Sequence, residues 1–381
     1  MTSDFQFDYG PRLLSGANSS ARVADLVPPD CPILFVTDAN LRRLGLADAA
    51  LSALAGREVA IFDAVEEDPS AATVLAARDA GNAIGAGAVI GLGGGSPMDV
   101  AKAAAYLIGS GDALADIYGV GNAHGQGVPL VLVPTTAGTG SEATPIAILT
   151  VDGAMKMGIV APALFAEWAV LDGALTTGLP RHVTAATGID AMVHAIEAFT
   201  SKRLKNPLSD ALALEALRLL SANIRLACNS PGDLAAREAM LLGSYLAGVA
   251  FANAPVAGVH ALAYPLGGHF HVPHGLSNAL MLPHVLGHNM AAAREDYAQL
   301  GVALDPALAS LGTQGRAMGF VDAMNAIIAD TGLDTRLASV GVGADSLDLL
   351  ADEAMKQERL LINNPAPITR DDARRLYAAA L

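Results

Sequence analysis

The sequence predicts a two-part fold in which a mainly parallel α/β domain precedes an all-helical domain. In the first half, short β-branched apolar runs alternate with segments of helical period. After Pro180 these runs give way to long alanine- and leucine-rich segments with helical periodicity. Because Pro180 interrupts the chain before a new helix, we place the boundary near residues 177–181, which gives domains 1–179 and 180–381.

Four strands are predicted in the first domain, at residues 32–37, 58–62, 88–92 and 129–133, and the first of them is expected to be buried. The segments between them carry helical patterns, at residues 51–54, at residues 72–83 and through Asp99 and Lys102. Strands that alternate with helices imply a mainly parallel sheet covered on both faces.

Six helices are predicted in the second domain, at residues 184–200, 207–223, 232–252, 256–267, 275–290 and 318–331. We find no low-complexity linker and no internal repeat. The two domains are therefore expected to pack directly together, and ligands commonly bind in such clefts.

Composition excludes several classes of function. The 38 acidic residues outnumber the 23 basic ones, which opposes a nucleic-acid partner. No purely apolar run is long enough for a membrane span, and residues 1–10 lack the apolar core of a secretion signal. Cys31 and Cys228 are expected to be buried free thiols. These features predict a cytoplasmic protein with no membrane partner.

A glycine-rich loop, GLGGGS over residues 91–96, follows the third predicted strand and opens a helix through Asp99. Glycines let the backbone lie against a ligand, and the free N–H groups of a helix N-terminus bind anions. The expected ligand is a pyrophosphate, contacted by Gly94, Gly95 and Ser96. The alternative is a plain strand-to-helix turn, although such a turn needs one glycine rather than three. The spacing differs from the usual G-x-G-x-x-G fingerprint.

Two further features point to a nucleotide. Asp38 ends the first predicted strand, where its carboxylate can accept from both ribose hydroxyls and would repel a 2′-phosphate, which favours NAD over NADP. Its alternative role is to cap the helix that follows. The polar loop at 134–142 can line a phosphate or ribose, or can be an ordinary capped turn. Lys156 can supply a cation to the cofactor, although a lone lysine is more often solvated.

A metal site is predicted in the helical domain. Asp190 and His194 lie four residues apart in an apolar helix, so both side chains occupy one face, and burial without a partner would be costly. His260 and His274 are plausible additions. Carboxylate and imidazole ligands together suit Fe²⁺, Zn²⁺ or Mn²⁺. The alternative is a surface hydrogen bond between Asp190 and His194.

Four long motifs resemble the iron-containing (group III) alcohol dehydrogenase family, namely GGGSPMDVAK (93–102), PTTAGTGSE (134–142), ATGIDAMVHAIEAF (186–199) and GVHALAYPLGGHFHVPHG (258–275). The tail NNPAPIT (363–369) is similar too. The resemblance implies an N-terminal Rossmann-like nucleotide-binding domain and a C-terminal helical domain, an architecture shared with dehydroquinate synthases. It implies metal ligation by Asp190, His194, His260 and His274. Together with the glycine loop and its helix, it implies an NAD-binding set of Asp38, Gly94, Gly95, Ser96, Asp99, Thr135, Thr136, Thr139 and Lys156.

The activity implied by the resemblance is a metal-dependent NAD(H) alcohol dehydrogenase or aldehyde reductase. Hydride would pass between the carbinol carbon of a small alcohol and nicotinamide, with the alkoxide on the divalent ion. Iron is the expected metal, and zinc or manganese the alternatives. The expected partners are a small alcohol or aldehyde and further copies of the chain in a dimer or larger homo-oligomer. The alternative functions are a lyase of dehydroquinate-synthase type that uses NAD transiently, and a non-catalytic nucleotide-binding protein.

Two positions depart from the family pattern. Tyr264 stands where many members carry a histidine thought to relay a proton, and Asp68 stands where an asparagine often contacts the nucleotide. We expect Tyr264 or His271 to carry the proton, with His269 as a further alternative. Tyr106, Phe251 and His271 are candidates to line the substrate pocket, and they suggest a small alcohol or aldehyde of mixed polarity.

Overall fold

The computed structural model describes residues 4–151 and 155–381, so residues 1–3 and 152–154 of the predicted first domain lie outside it. Contacts divide the chain into an α/β unit, Tyr9–Gly178, and a helical unit, Leu179–Leu381, which also includes residues 4–8. The sequence-based prediction had put residues 4–8 in the first domain. They join the helical unit because the Asp8 N–H donates to Asn253 Oδ1 at 2.7 Å and Asn253 Nδ2 donates to the Asp8 carbonyl at 2.9 Å.

The described part of the α/β unit contains two sheets. Their strands are β1 (Arg12–Ser15), β2 (Ile33–Val36), β3 (Val59–Phe62), β4 (Ala88–Gly93), β5 (Gly119–Val120), β6 (Leu130–Pro134), β7 (Ile146–Val151), β8 (Met155–Val160) and β9 (Trp168–Leu171). The large sheet has the order β1-β9-β6-β4-β2-β3, and all of its pairs are parallel. In the small sheet β8 pairs in parallel with β5 and antiparallel with β7. The prediction of a mainly parallel sheet is confirmed.

Four α-helices connect the strands of this unit, α1 (Ala39–Arg43), α2 (Asp48–Ala53), α3 (Ala71–Ala83) and α4 (Gly95–Ser110). Side chains of β2 alternate between two apolar cores. Leu34 and Val36 pack on the face covered by α3 and α4, whereas Ile33 and Phe35 pack on the opposite face with α2. All four are fully buried, as expected of a parallel strand covered on both sides.

The order of the large sheet reverses between β2 and β4. The chain passes from β2 outward to its neighbour β3 and then returns to β4 on the other side of β2. In open parallel sheets, ligands bind at the carboxyl ends of the strands where the order reverses. The loops after β2, β4 and β6 all leave from this edge.

The helical unit contains the six predicted helices and four more. They are α5 (Arg181–Thr200), α6 (Pro207–Asn229), α7 (Leu234–Asn253), α8 (Gly258–Phe270), α9 (His274–Asn289), α10 (Arg294–Leu304), α11 (Thr313–Thr331), α12 (Leu347–Met355), α13 (Glu358–Leu361) and α14 (Arg370–Ala379). Helix α14 escaped prediction because charged residues fill its first turns, which hides its narrow buried face of Ala373, Leu376 and Tyr377. Helix α5 is buried on nearly all sides and forms the centre of the unit.

Within the described residues, α7 alone is long and apolar enough to cross a membrane by length and composition. However, 67% of its apolar stretch is buried inside the protein, against α5 and α6. Such burial is typical of a core helix, whose surroundings are other helices rather than lipid.

Candidate metal centre and cofactor-binding loops

The predicted nucleotide-binding loops meet at one edge of the large sheet. Gly93 at the end of β4 pairs with Pro134 at the end of β6, and the Thr135 N–H donates to the Gly93 carbonyl at 2.9 Å. A Cβ atom built on Gly94 would lie 3.7 Å from Thr136 Oγ1, and one on Gly95 would lie 3.1 Å from Thr139 Cγ2. The glycine loop and the threonine loop are therefore packed against each other.

The three consecutive glycines have different roles. Gly93 has φ +157°, and a Cβ there would lie 2.5 Å from Pro97 Cγ, so the tight turn itself requires this glycine. Gly94 caps helix α4, and Gly95 is its first residue. The turn interpretation thus accounts for Gly93, while Gly94, Gly95 and Ser96 present the N-terminus of a 16-residue helix.

Asp38 lies at the same edge of the sheet, directly after β2. Its Oδ1 accepts from the N–H groups of Asn40 and Leu41 at 2.9 and 3.0 Å, so the side chain caps α1. The capping alternative raised by the sequence is therefore present. Capping uses one carboxylate oxygen, and a carboxylate accepts through both.

Asp99 has a supporting position that differs from the direct contact implied by the sequence. Its Oδ1 accepts from Ser141 Oγ at 2.6 Å, and its Oδ2 accepts from the Ile148 N–H at 2.9 Å. Both carboxylate oxygens therefore tie α4 to the segment that follows β6. Thr135 is buried, whereas Thr136 and Thr139 are partly exposed at the loop surface.

A buried ion pair that sequence reasoning missed lies beneath this loop. Lys102 is fully buried, and its Nζ donates to the Ser141 carbonyl at 2.8 Å, with Asp99 Oδ1 3.3 Å away. Burial lowers the pKa of Lys102, and the charges of Asp99 and Glu142 oppose that effect. Burial raises the pKa of Glu142 to about 7, offset in part by its own backbone N–H and by Lys102. The available signal was the presence of Lys102 and Glu142 in two motifs made up mostly of apolar or small residues.

Lys156 lies on β8, and its Nζ forms an ion pair with Asp68 Oδ1. The Asp68 backbone adopts φ +56°, and its carbonyl accepts from Thr150 Oγ1 at 3.0 Å. Two positions that the sequence singled out separately are thus direct neighbours. The lysine is not simply solvated, because a carboxylate already accompanies it.

The four predicted metal ligands converge in the helical unit. Asp190 and His194 lie on α5, His260 on α8, and His274 at the first position of α9. Each residue offers one ligand atom, and the four atoms lie within 4.8 Å of one another. Asp190 Oδ1 is 3.8 Å from His194 Nε2, 3.8 Å from His260 Nε2 and 3.6 Å from His274 Nε2.

These distances fit a divalent cation. Four ligands at about 2.0–2.2 Å from a tetrahedral ion are about 3.4 Å apart, close to the separations observed. Asp190 is only 1% exposed and has three imidazole neighbours. Although burial raises its pKa, the attraction of His194, His274 and His260 outweighs burial and lowers it. An ionised carboxylate surrounded by imidazole nitrogens is a donor set for Fe²⁺, Zn²⁺ or Mn²⁺.

Local sequence explains how the helices bring these side chains together. The i,i+4 spacing stacks Asp190 and His194 on one face of α5. Gly275 allows the first turn of α9 to approach that helix, because a Cβ at this position would lie 2.5 Å from the Ala186 carbonyl oxygen. Any larger residue at Gly275 would push His274 away from Asp190.

Two buried polar residues next to the cluster were not predicted. Glu197 Oε2 lies 2.7 Å from His260 Nδ1. Asn278 Nδ2 donates to Asp190 Oδ1 at 2.5 Å and lies 3.2 Å from His260 Nε2. Both fall three or four residues after a predicted ligand, at Glu197 after His194 and at Asn278 after His274. Such helical spacing from a predicted ligand is the pattern by which Glu197 and Asn278 can be predicted from the sequence.

The remaining predicted residues differ in their contacts with the four-residue cluster. The Tyr264 ring lies 6.4 Å from that of His260 and 6.0 Å from that of His274. Phe251 contacts His194 with ring centroids 4.4 Å apart, whereas His271 is exposed at the end of α8 with φ +54°.

Tyr106 was expected in the pocket, and that prediction is wrong. It is fully buried in α4, where its hydroxyl bonds to Asp112 and accepts from the Gly125 N–H. Cys31 is also only half-buried, unlike Cys228, although both thiols are free as expected.

Comparison with known proteins agrees with both halves of the chain. A profile described as iron-containing alcohol dehydrogenase matches residues 10–173. A second, described as the C-terminal part of the Fe-containing alcohol dehydrogenase family, matches residues 184–381. Over 357 residues, 91% of this chain and 89% of the relative, the chain is 40% identical to long-chain-alcohol dehydrogenase 1 of Geobacillus thermodenitrificans.

Solved structures share the fold over nearly the full length. A 1,3-propanediol oxidoreductase has a TM-score of 0.94 at 34% identity, covering 99% of this chain and 100% of that one. The sulfoacetaldehyde reductase of Bifidobacterium kashiwanohense, solved in complex with NAD+, has a TM-score of 0.88 at 27% identity, covering 99% of each. This chain is a member of the iron-containing alcohol dehydrogenase family, and therefore an oxidoreductase.

Proposed function

We propose that the protein interconverts a small alcohol and its aldehyde or ketone, with NAD(H) as the hydride carrier and a divalent metal ion at the four-residue cluster. The observation that carries this proposal is the convergence of the ligand atoms of Asp190, His194, His260 and His274 within 4.8 Å. The names of the relatives support it, since they include a long-chain-alcohol dehydrogenase and a 1,3-propanediol oxidoreductase. The same names favour a dehydrogenase over a lyase of the dehydroquinate-synthase type.

The metal we propose is Fe²⁺, with Zn²⁺ or Mn²⁺ as alternatives that the donor set also suits. When bound, such an ion supplies Lewis acidity that lowers the pKa of an alcohol hydroxyl and stabilises negative charge on its oxygen. The protein contributes the ionised Asp190 and three imidazoles held on buried helices. Phe251, packed on His194, makes one side of the site apolar and helps to exclude water.

NAD is proposed to bind at the carboxyl edge of the large sheet. Gly94, Gly95 and Ser96 would contact the pyrophosphate through the N-terminus of α4, and Thr135, Thr136 and Thr139 would line the adjacent phosphate and ribose. Asp38 would accept from the ribose hydroxyls and repel a 2′-phosphate, which favours NAD over NADP. The sulfoacetaldehyde reductase solved with NAD+ supports this choice of cofactor.

Two residues are proposed to transfer the proton released from the alcohol. The ring of Tyr264 lies 6.0 Å from that of His274. His271 lies three residues before His274 on the exposed end of α8 and would pass the proton to solvent. Tyr264→Phe should lower kcat and change KM much less, because the substitution removes the phenol hydroxyl and keeps the ring.

Homo-oligomer formation is a further proposal. Strand β1 ends the large sheet, and Leu13 on it is 38% exposed. An edge strand of this kind can pair with a strand of a second copy. Light scattering on the purified protein would measure the mass directly. Free thiols at Cys31 and Cys228 suit the reducing cytoplasm that we propose as its location.

The deciding experiment combines metal analysis with an alcohol panel. Protein purified anaerobically should contain about one Fe²⁺ per chain and should reduce NAD with alcohols from short to long chain length. Asp190→Ala and His274→Ala should lose the metal and the activity, while His288→Ala, a histidine on the same helix as His274 and outside the cluster, should keep both. Unchanged metal content in Asp190→Ala would refute the ligand assignment.

A further inference from the structure

We propose that Glu197 and Asn364 form a two-sided clamp that sets the position and tautomer of His260. Neither residue is among the ligands, and the inference rests on the metal site proposed above. The clamp holds residues 256–259, the short segment through which the chain enters α8 two residues before His260.

Helix α5 supplies the first side of the clamp. Glu197 Oε2 accepts from the Ala257 N–H at 2.9 Å, and its Oε1 accepts from the Val259 N–H at 2.6 Å. These N–H groups belong to the start of α8, where helix geometry provides no acceptor within the helix. Ser201, four residues further along, donates from Oγ to the Pro255 carbonyl at 2.9 Å. The end of α5 therefore fixes the backbone that enters α8.

The same carboxylate reaches the imidazole of His260. Glu197 Oε2 lies 2.7 Å from Nδ1, while Nε2 faces Asp190 Oδ1 at 3.8 Å. Because a carboxylate without a proton can only accept, Nδ1 must carry the hydrogen, which leaves the lone pair on Nε2 directed at the cluster. A carboxylate behind a histidine ligand fixes the tautomer and ring orientation in this way.

The C-terminal segment supplies the second side, which gives a role to the NNPAPIT motif. Asn364 Oδ1 accepts from the Gly258 N–H at 3.2 Å, and Asn363 Nδ2 donates to the Val256 carbonyl at 2.9 Å. Asn364 also exchanges two hydrogen bonds with Asn289 of α9, at 3.0 and 2.7 Å. The tail therefore joins the entry of α8 to α9, the helix that begins with His274.

All of these groups are buried, so solvent cannot replace the lost bonds. Glu197, Asn363 and Asn364 are each 2–3% exposed. Four successive residues, 256–259, have a backbone atom bonded to one side of the clamp or the other. Loss of either side should let His260 shift without displacing Asp190 or His194, which lie on α5 itself.

The test measures Co²⁺ binding rather than turnover. Wild type, Glu197→Gln, Asn364→Ala and the double variant are titrated with Co²⁺ against a chelator, and the visible absorption reports the ligand geometry. We expect Glu197→Gln to bind Co²⁺ about 10- to 100-fold more weakly with an altered spectrum. Asn364→Ala should weaken binding about 3- to 10-fold by the same physical route. Because both residues act on one segment, the loss of Co²⁺ affinity in the double variant should be smaller than the product of the two single losses.

Asn206→Ala is the matched control. Asn206 is buried in the same unit and caps α6 through the N–H groups of Leu208 and Ser209, far in sequence from α8. It should lower the melting temperature and leave Co²⁺ affinity unchanged. A folded Glu197→Gln protein with wild-type affinity and spectrum would overturn the clamp. Absence of Co²⁺ binding by the wild type would instead overturn the metal site itself.

Discussion

At the scale of single residues, Glu142 combines deep burial with an unusual protonation equilibrium. It is 1% exposed, and its Oε1 has no hydrogen-bond partner within the described part of the chain. Burial raises its pKa from 4.5 to about 7. Between these values the folded chain therefore binds more protons than the unfolded chain, and stability falls as the pH rises.

The substitution Glu142→Gln replaces the buried carboxyl group with an amide that does not titrate. The melting temperature of Glu142→Gln relative to wild type should rise between about pH 5 and about pH 7.5, by the equivalent of about 1–3 kcal/mol. Glu66 provides a control of opposite sign, because hydrogen bonds from Thr73 and Ser70 outweigh burial and lower its pKa. The melting temperature of Glu66→Gln relative to wild type should therefore fall as the pH rises through the acidic range. A Glu142→Gln difference independent of pH would contradict the prediction.

Asp68 pairs with Lys156, the lysine that the family resemblance predicts to contact the cofactor. Its carboxylate pairs with Lys156 Nζ, although Asp68 is 64% exposed in its side chain. Asp68→Asn should remove the negative charge that pairs with this ammonium group. Because a single partly exposed charge is worth about 0.5–1 kcal/mol, NADH affinity should rise about two- to fivefold by fluorescence titration. Asp79→Asn, which breaks the surface pair with Arg78, should have no effect, and equal affinity in both variants would exclude a role for Lys156.

At the scale of elements, Lys102 joins α4 to the segment between β6 and β7. Its ammonium group donates to carbonyls of Ser141 and Ile146 and is accompanied by Asp99 and Glu142. Lys102→Met should destabilise the protein by about 3–5 kcal/mol in denaturant unfolding, because it leaves buried acceptors and a buried acid without their cation.

A second substitution separates the charge from the packing. Adding Glu142→Gln to Lys102→Met also removes the buried acid whose charge the lysine attracts, and it should recover part of the lost stability. The double variant should also bind NADH more weakly than wild type, since the threonine loop has lost one of its anchors to α4. Additive losses of stability in the double variant would show that the two residues act independently.

At the scale of the whole molecule, the ligands of the metal site all belong to one unit. A bound ion should stabilise that unit by mass action, by about 2.7 kcal/mol at a concentration 100 times its dissociation constant. Hydrogen exchange should therefore slow in α5, α8 and α9 when metal is added. The strands β2, β4 and β6 serve as the internal reference, and Asp190→Ala should show no slowing anywhere. Equal protection throughout wild type and variant would exclude this site.

Features that depend on near neighbours along the chain follow from the amino-acid sequence. Periodicity separated a parallel α/β half from a helical half, and the strands buried on both faces were recognised from their apolar runs. The pair Asp190 and His194 followed from helical spacing alone, and the capping role of Asp38 was visible from its position before a helix. Weaker patterns, such as the edge strand β1 and the charged helix α14, passed unnoticed because little of each is buried.

Contacts between residues that are distant in sequence follow only from the packing of the helices and strands. His260 lies 63 residues beyond Glu197, and Asn278 lies 88 beyond Asp190, so no local pattern links them. The motif resemblance named four ligands, but only the packing of α8 and α9 on α5 brings their nitrogen and oxygen atoms within reach of one ion. In the α/β unit, the packing of α4 likewise directs Asp99 and Lys102 inward as supports and buries Tyr106. The physical reason is that side-chain convergence depends on helix and strand packing, which long-range contacts determine and local periodicity does not encode.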